Sequence, residues 1–297
     1  MSVLSCQLSV KKVTENWELT TSNGLKTMSK LKITAVGHAT HLIEMDGEFL
    51  LTDAVFSRKV LFWRRMKEPG IRPDDLPPLT ALVVSHAHYD HLDLFSYKYF
   101  SLKTPIVVPL GLGKFFAKFL KNPIVEIPPW SEHRIGNITI HSVPVKHRGF
   151  RLSGLRWQAT SGFVFEKSHQ KVLFPGDTAY GDHFKKIAHL HNLDVALLPI
   201  GGYSPPWFQK GRHLNPSEAV NAFLDLKAKT MIPYHWGVFR ISQEEPEAPL
   251  SWMKNILGEK PGLNVKILEP GESFSLDSAS FRSSSPMGET VQIEVRK

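Results

Sequence analysis

The stretch ALVVSHAHYDHLD, Ala81 to Asp93, places three histidines and two aspartates directly behind a four-residue apolar run. A short continuous apolar run reads as a buried strand. Side chains two apart on an extended chain point the same way, so His86 and His88 project together from its end. Asp90 and His91 follow in the turn and face a neighbouring point. Imidazole nitrogen and carboxylate oxygen are donors that zinc accepts. H-x-H-x-D-H therefore suits two adjacent ions, one held by imidazoles and the other by a carboxylate and an imidazole. A surface turn rich in histidine by chance would need no buried strand to deliver it.

A two-metal site needs further donors, and they are expected at strand ends. His147 closes ITIHSVPVKH, Asp177 closes KVLFPGD and His235 closes TMIPYH. The glycine before Asp177 lets that turn approach closely. Asp177 is the natural bridging carboxylate, because its two oxygens can bind one ion each. Ions roughly 3.5–4 Å apart can share an activated hydroxide and clamp both oxygens of an in-line displacement.

Around this nucleus the chain alternates strands with fewer helices. LKITAVG, THLIEM and EFLLTD read as strands, the last two joined across Asp46-Gly47, a hairpin signal. PIVVPL, PIVEI, NITIHSVPV, SGFVFEK, KVLFPGD, DVALLPI, TMIPYH and VKILEP read as further strands. GLGKFFAKFLKN, DHFKKIAHL and NPSEAVNAFLDLKA read as helices, the last with Asn215 as N-cap, Pro216 at the first position and Glu218 at the third. This pattern gives a layered α/β domain with two sheets and outer helices. Residues 1–30 read as a weakly specified lead-in and 31–297 as one domain; Met28 precedes the first clear strand and is an alternative start.

The 297 residues suffice for a sizeable core without cross-links, and a single cysteine, Cys6, excludes a disulfide framework. No apolar run is long enough to span a bilayer, and the N-terminus lacks a basic segment followed by a clean apolar one. A cytoplasmic protein is expected. The net charge of +8 favours anionic partners. Arg58 to Lys67, RKVLFWRRMK, interleaves basic and apolar residues as a surface resting on an anionic membrane would. KFFAKFLK does the same, and there the apolar side is expected to pack on a sheet.

The segments GHATHLIEMDGEFLLTD, SHAHYDHLD, GDTAYGDHFKKI, LLPIGGYSPPWF, HLNPSEAV and HWGVF together resemble the metallo-β-lactamase superfamily. Within it they are similar to N-acyl-phosphatidylethanolamine phospholipase D and its bacterial relatives. The likeness spans roughly Leu31 to Phe274. It implies an αββα sandwich, two mixed sheets flanked by helices, with a dinuclear site at one edge. It assigns His86, His88 and His147 to the first metal, Asp90, His91 and His235 to the second, and the bridge to Asp177. It also implies two zinc ions, with manganese or iron suiting the same donors. The implied reaction is hydrolysis of N-acyl-phosphatidylethanolamine to N-acylethanolamine and phosphatidic acid by the metal-bridging hydroxide. Ala54, where relatives usually carry proline, and the diverged RWQATSGF after His147 depart from the pattern and bear on the substrate pocket.

The resemblance places His213, just ahead of the Asn215 cap, near the active site. There it would contact the substrate phosphate or protonate the leaving group, which with Asp90 makes the catalytic pair. Asp53 and His38 are expected to orient ligating groups. Tyr89, Trp207 and Phe208 are expected to line the substrate pocket, since large aromatics on loops often face ligands. Two other functions fit the same fold: a lactonase acting on a sugar phosphate, and a nuclease. The segments around Trp207 and His235 speak against the first. No flexible arm like that of transfer-RNA-processing relatives is present, so a nucleic-acid partner is disfavoured.

Overall fold

The order of strands explains how donors far apart in sequence reach one place. The computed structural model of the chain describes residues 30–147, 149–151 and 155–277. The expected lead-in lies outside these apart from Lys30, as do the side chains at 156–158 of the diverged segment. Lys30–Leu276 forms one compact unit.

One sheet has seven strands. β1 (Lys30–Gly37), β2 (Thr40–Met45) and β3 (Glu48–Thr52) run antiparallel, and β6 (Ala81–Val83), β7 (Ile106–Pro109) and β8 (Ile124–Ile127) continue from β3 in parallel. β17 (Ser273–Asp277) adds to the β1 edge. Asp46 and Gly47 both take positive φ, 46° and 78°, giving the tight hairpin expected between β2 and β3. The second sheet has six strands. β14 (Gln170–Phe174), β15 (Val195–Pro199) and β16 (Thr230–Tyr234) are parallel, while β13 (Gly162–Lys167), β10 (Ile138–Val143) and β9 (Glu132–Ile135) complete it antiparallel.

Alternation along the strands builds the layers. Phe163, Phe165, Val195 and Leu197 point inward and meet Ile33, Ile43 and Val83 of the other sheet. Their neighbours Val164, Ala196 and Leu198 point outward. There they meet Phe184 of α2 (His183–Leu190), Phe223 of α4 (Pro216–Leu226) and Met253 of α5 (Ala248–Glu259). On the far side Leu82 and Val84 pack against Phe115 and Phe116 of α1 (Gly113–Phe119), as expected for that helix. Each fully buried Phe adds roughly 1.5–3 kcal/mol of apolar burial. The result is the expected αββα sandwich.

Several elements differ from the sequence reading. Arg58–Lys67, which was not among the expected strands, holds a small hairpin of β4 (Lys59–Val60) and β5 (Trp63–Arg64). VKILEP makes one isolated bridge, Met231 to Val265, at the β16 edge of the six-stranded sheet before the chain turns at Pro270-Gly271, and the last strand, β17, joins the other sheet beside β1. α5 went unread although Leu250, Met253 and Ile256 recur at helical spacing. His191, at the end of α2, is 8% exposed against the His141 ring.

In both sheets the parallel strands end at the same edge. β3 leads to Asp53, β6 to Ser85–His91, β14 to Asp177 and β16 to His235. The site gathers there, at the carboxyl ends of strands.

Candidate metal centre

The seven expected ligands converge as two donor sets. The first comprises His86, His88, His147 and Asp177, with one donor atom from each within 4.8 Å of the others. Nε2 of His86 lies 2.9 Å from Nδ1 of His88, which lies 3.3 Å from Nε2 of His147. The second set holds Asp90, His91 and His235, joined by His38. Nε2 of His91 and of His235 each lie 3.5 Å from Oδ2 of Asp90. Asp177 stands between the sets. Its Oδ2 is 3.2 Å from His91 Nε2 and 3.8 Å from His86 Nε2, and its Oδ1 is 3.3 Å from His235 Nε2.

The outward hydrogen bonds fix the imidazole tautomers. His91 Nδ1–H donates to Asp53 Oδ2 at 2.6 Å. Asp53 also accepts from Ser85 N at 2.7 Å and Ser85 Oγ at 2.6 Å, and His86 Nδ1–H donates to that Oγ at 2.9 Å. His147 Nδ1–H donates to the Arg212 carbonyl at 2.9 Å. The inward nitrogens of His86, His147 and His91 are thereby left as lone pairs. Lone pairs facing one another at about 3 Å repel unless a cation lies between them. Donors about 2.0–2.1 Å from one tetrahedral ion sit roughly 3.3 Å apart. The buried atoms without a hydrogen-bond partner tell the same story: His91 Nε2, His235 Nε2 and both oxygens of Asp177. The donor set fits two divalent ions.

The electrostatics agree. Burial alone would raise the Asp177 carboxyl, yet His235, His91 and His213 hold it well below the usual carboxylate range. Burial would lower His91, yet Asp177 and Asp90 raise it well above the ordinary imidazole value. A bound cation would take the place of that proton.

Local backbone supports the geometry. Gly176 has φ +63°, and a Cβ there would fall 2.3 Å from that of Ser85. Asp53, His38 and His235 also hold positive φ (31°, 53° and 65°), a conformation uncommon outside glycine that Asp and His accept more readily than most residues. His38 Nε2–H donates to Asp90 Oδ2 at 3.0 Å, and its ring packs 4.1 Å from that of His235. Both His38 and Asp53 therefore lie against ligand groups.

His213 reaches the centre too. Its Nδ1, buried and without a hydrogen-bond partner, is 3.7 Å from Asp177 Oδ2. Gly202, with φ +84°, makes room, since a Cβ there would fall 2.8 Å from that nitrogen. Burial pushes the His213 imidazole down to about 3. The helix behind it begins with the expected capping box: Asn215 Oδ1 accepts from Glu218 N at 2.9 Å, and Glu218 Oε2 accepts from Asn215 N at 3.1 Å.

A cavity of ≈390 Å³ opens over the centre, bounded by His88, Asp90, Asp177 and His213. Tyr89 lines it as expected. Trp207 and Phe208 do not, which corrects the expectation for them. They lie on the short helix α3 (Pro206–Gln209), where Trp207 is 84% exposed and Phe208 stacks on the Arg212 guanidinium. Successive helical residues turn by about 100°, so Gln209 is the α3 side chain that lines the cavity. The sequence reading missed Gln209, Ser242 and the apolar wall of Val60, Leu61, Trp63 and Ile241. The apolar residues inside RKVLFWRRMK were the available signal.

The Beta-lactamase superfamily domain matches residues 49–236. The chain belongs to that superfamily. It is a metal-dependent hydrolase of the metallo-β-lactamase kind, with α/β layers to match. An N-acyl-phosphatidylethanolamine-hydrolyzing phospholipase D from Caenorhabditis elegans is 35% identical over 246 residues, 76% of this chain and 69% of that protein. A mitochondrial protein of the same description from Saccharomyces cerevisiae is 31% identical over 74% of this chain, but the match spans only 51% of the yeast protein. A metal-dependent hydrolase from Bacillus cereus is 26% identical over 83% of this chain and its own full length. Among solved structures, a metallo hydrolase from Ignicoccus hospitalis superposes with a TM-score of 0.64 at 19% identity, over 83% of this chain and 98% of that one, which shows the shared fold.

Proposed function

We propose that this superfamily member is a dinuclear phosphodiesterase of phospholipase D type, cleaving N-acyl-phosphatidylethanolamine to N-acylethanolamine and phosphatidic acid. The observation that carries this reading is the cavity wall. Among the described residues it presents Val60, Leu61, Trp63 and Ile241 and no lysine or arginine. A sugar phosphate or a polynucleotide brings phosphate charge away from the reacting bond, which proteins meet with Arg and Lys. A lipid phosphodiester brings one charge, at the reacting centre, with hydrocarbon beyond it. The names of the worm and yeast relatives point to the same substrate.

Two divalent cations, proposed to be zinc, would supply Lewis acidity that activates water and offsets charge on phosphoryl oxygens. His86, His88 and His147 would hold one and Asp90, His91 and His235 the other. Asp177, unpartnered at both oxygens, would bind both. His38 and Asp53 keep Asp90 and His91 in orientation. His213, neutral because it is buried, is suited to donate a hydrogen bond to a phosphoryl oxygen rather than to deliver a proton. The apolar wall would seat hydrocarbon and exclude water.

Turnover of synthetic N-acyl-phosphatidylethanolamine, before and after chelation and zinc restoration, tests the reading. Release that is lost and regained with metal supports it. No release from protein carrying two bound ions removes the lipid substrate.

A further inference from the structure

The tip of the β4–β5 hairpin exposes a large apolar surface beside the cavity mouth. Phe62 is 89% exposed there, next to Leu61 and Trp63. The base of the hairpin is fixed. The Arg65 guanidinium donates to the carbonyls of Val55 at 2.6 Å and Ser57 at 3.1 Å and lies 4.7 Å over the Phe239 ring. Met66 N donates to the Val238 carbonyl at 2.8 Å. The tip is thus held out by its anchored base.

Across from the tip stand Phe95, 79% exposed, and Phe119, 49% exposed. Between them runs a groove of ≈580 Å³ that shares Val60, Leu61 and Tyr89 with the metal cavity. The charge around this surface is basic. Lys59 lines the groove, Lys118 Nζ lies 5.6 Å from the Phe119 ring, and Arg58 and Arg64 are exposed beside the tip. Among the described residues the one acidic group lining the groove, Asp93, is 8% exposed, and its carboxylate accepts from Ser57 Oγ, Ser96 Oγ and Phe95 N. It presents little charge outward.

We propose that Phe62, with Phe95 and Phe119, forms a lipid-insertion surface that seats the cavity mouth on an anionic bilayer. Apolar side chains ringed by lysine and arginine match the two layers of such a surface: hydrocarbon below, phosphate above. A second copy of this chain would instead bring its own basic rim and +8 net charge against the first. None of the described helices is long and apolar enough to cross a membrane, so the contact is peripheral. The inference stands on this surface and is independent of which bond the centre cleaves.

Flotation of the full, metal-loaded chain with vesicles of phosphatidylcholine, alone or with one-third phosphatidylglycerol, tests it. Wild type should bind the mixed vesicles and less so at high salt. Phe62→Asp should bind about tenfold more weakly or worse. Its zinc content and melting temperature should match wild type, showing an intact fold. Three results would overturn the proposal: wild type that binds neither vesicle, Phe62→Asp that binds as wild type does, or a dimer without vesicle binding that Phe62→Asp dissolves. Vesicle binding is read without turnover, so failure of the proposed substrate leaves this outcome legible.

Discussion

Asp53 Oδ2 lies 2.6 Å from Nδ1 of His91, and neither side chain has exposed surface. One carboxylate there orients three groups: the imidazole of His91, the amide of Ser85 and its hydroxyl, which in turn accepts from His86. Asp53→Ala should weaken metal binding by about 10–100-fold, the usual effect of losing such support. It should also cost at least about 1–3 kcal/mol, because buried donors lose their partner. Competition against a fluorescent zinc chelator and urea denaturation would check the two effects separately.

His213→Ala acts on the reaction instead of the metals. Its Nδ1 is 3.7 Å from Asp177 but lies in neither of the two expected donor sets. Loss of one donor to developing charge should lower kcat by about 10²–10³-fold. Metal analysis of the variant should still find two ions. Wild-type turnover in that variant would remove its role.

Gly176→Ala should displace the bridge. The left-handed backbone alone costs a non-glycine residue about 1–2 kcal/mol. The added Cβ also meets Ser85 at 2.3 Å. Relief of that contact moves Asp177 or Ser85, so both metal content and stability should fall together, read by elemental analysis and thermal melting.

His41 gives a pH dependence that is separate from ligand chemistry. It is not among the expected ligands, its ring packs on Tyr234 and Phe174, and burial pushes it down to about 4 from 6.5. Between pH 6.5 and 4 the unfolded chain binds the proton that the folded one refuses, so stability rises with pH. The contribution is complete above pH 6.5 and is lost as pH falls toward 4, about 3 kcal/mol in all. Urea denaturation of chelated wild type and His41→Gln should show their stability difference shrinking by that amount from pH 7 to pH 4.

Much of this was legible in the sequence because the donors carry their own punctuation. Each expected ligand outside the cluster ends an apolar strand, and strand ends at one sheet edge are where a sandwich collects side chains. Asn215, Pro216 and Glu218 announced their helix in the same way. The substrate wall was less legible. Val60, Leu61 and Trp63 lie in a stretch with no clean period, and only the hairpin geometry turns some inward and leaves Phe62 outside. Trp207 and Phe208 misled because their loop holds a helical turn, which points Gln209 into the cavity in their place. The role of Asp53 in aligning two histidines depends on contacts 32 and 38 residues away in sequence, which no local pattern encodes.

The central claim is that water attacks phosphorus of a lipid diester at the paired metal centre. Hydrolysis of N-acyl-phosphatidylethanolamine in ¹⁸O-water by zinc-loaded protein, with both products weighed by mass spectrometry, tests it most directly. The account predicts one labelled oxygen in phosphatidic acid and none in N-acylethanolamine. Label in N-acylethanolamine or in a released fatty acid, or no product from protein shown to hold two ions, would contradict it.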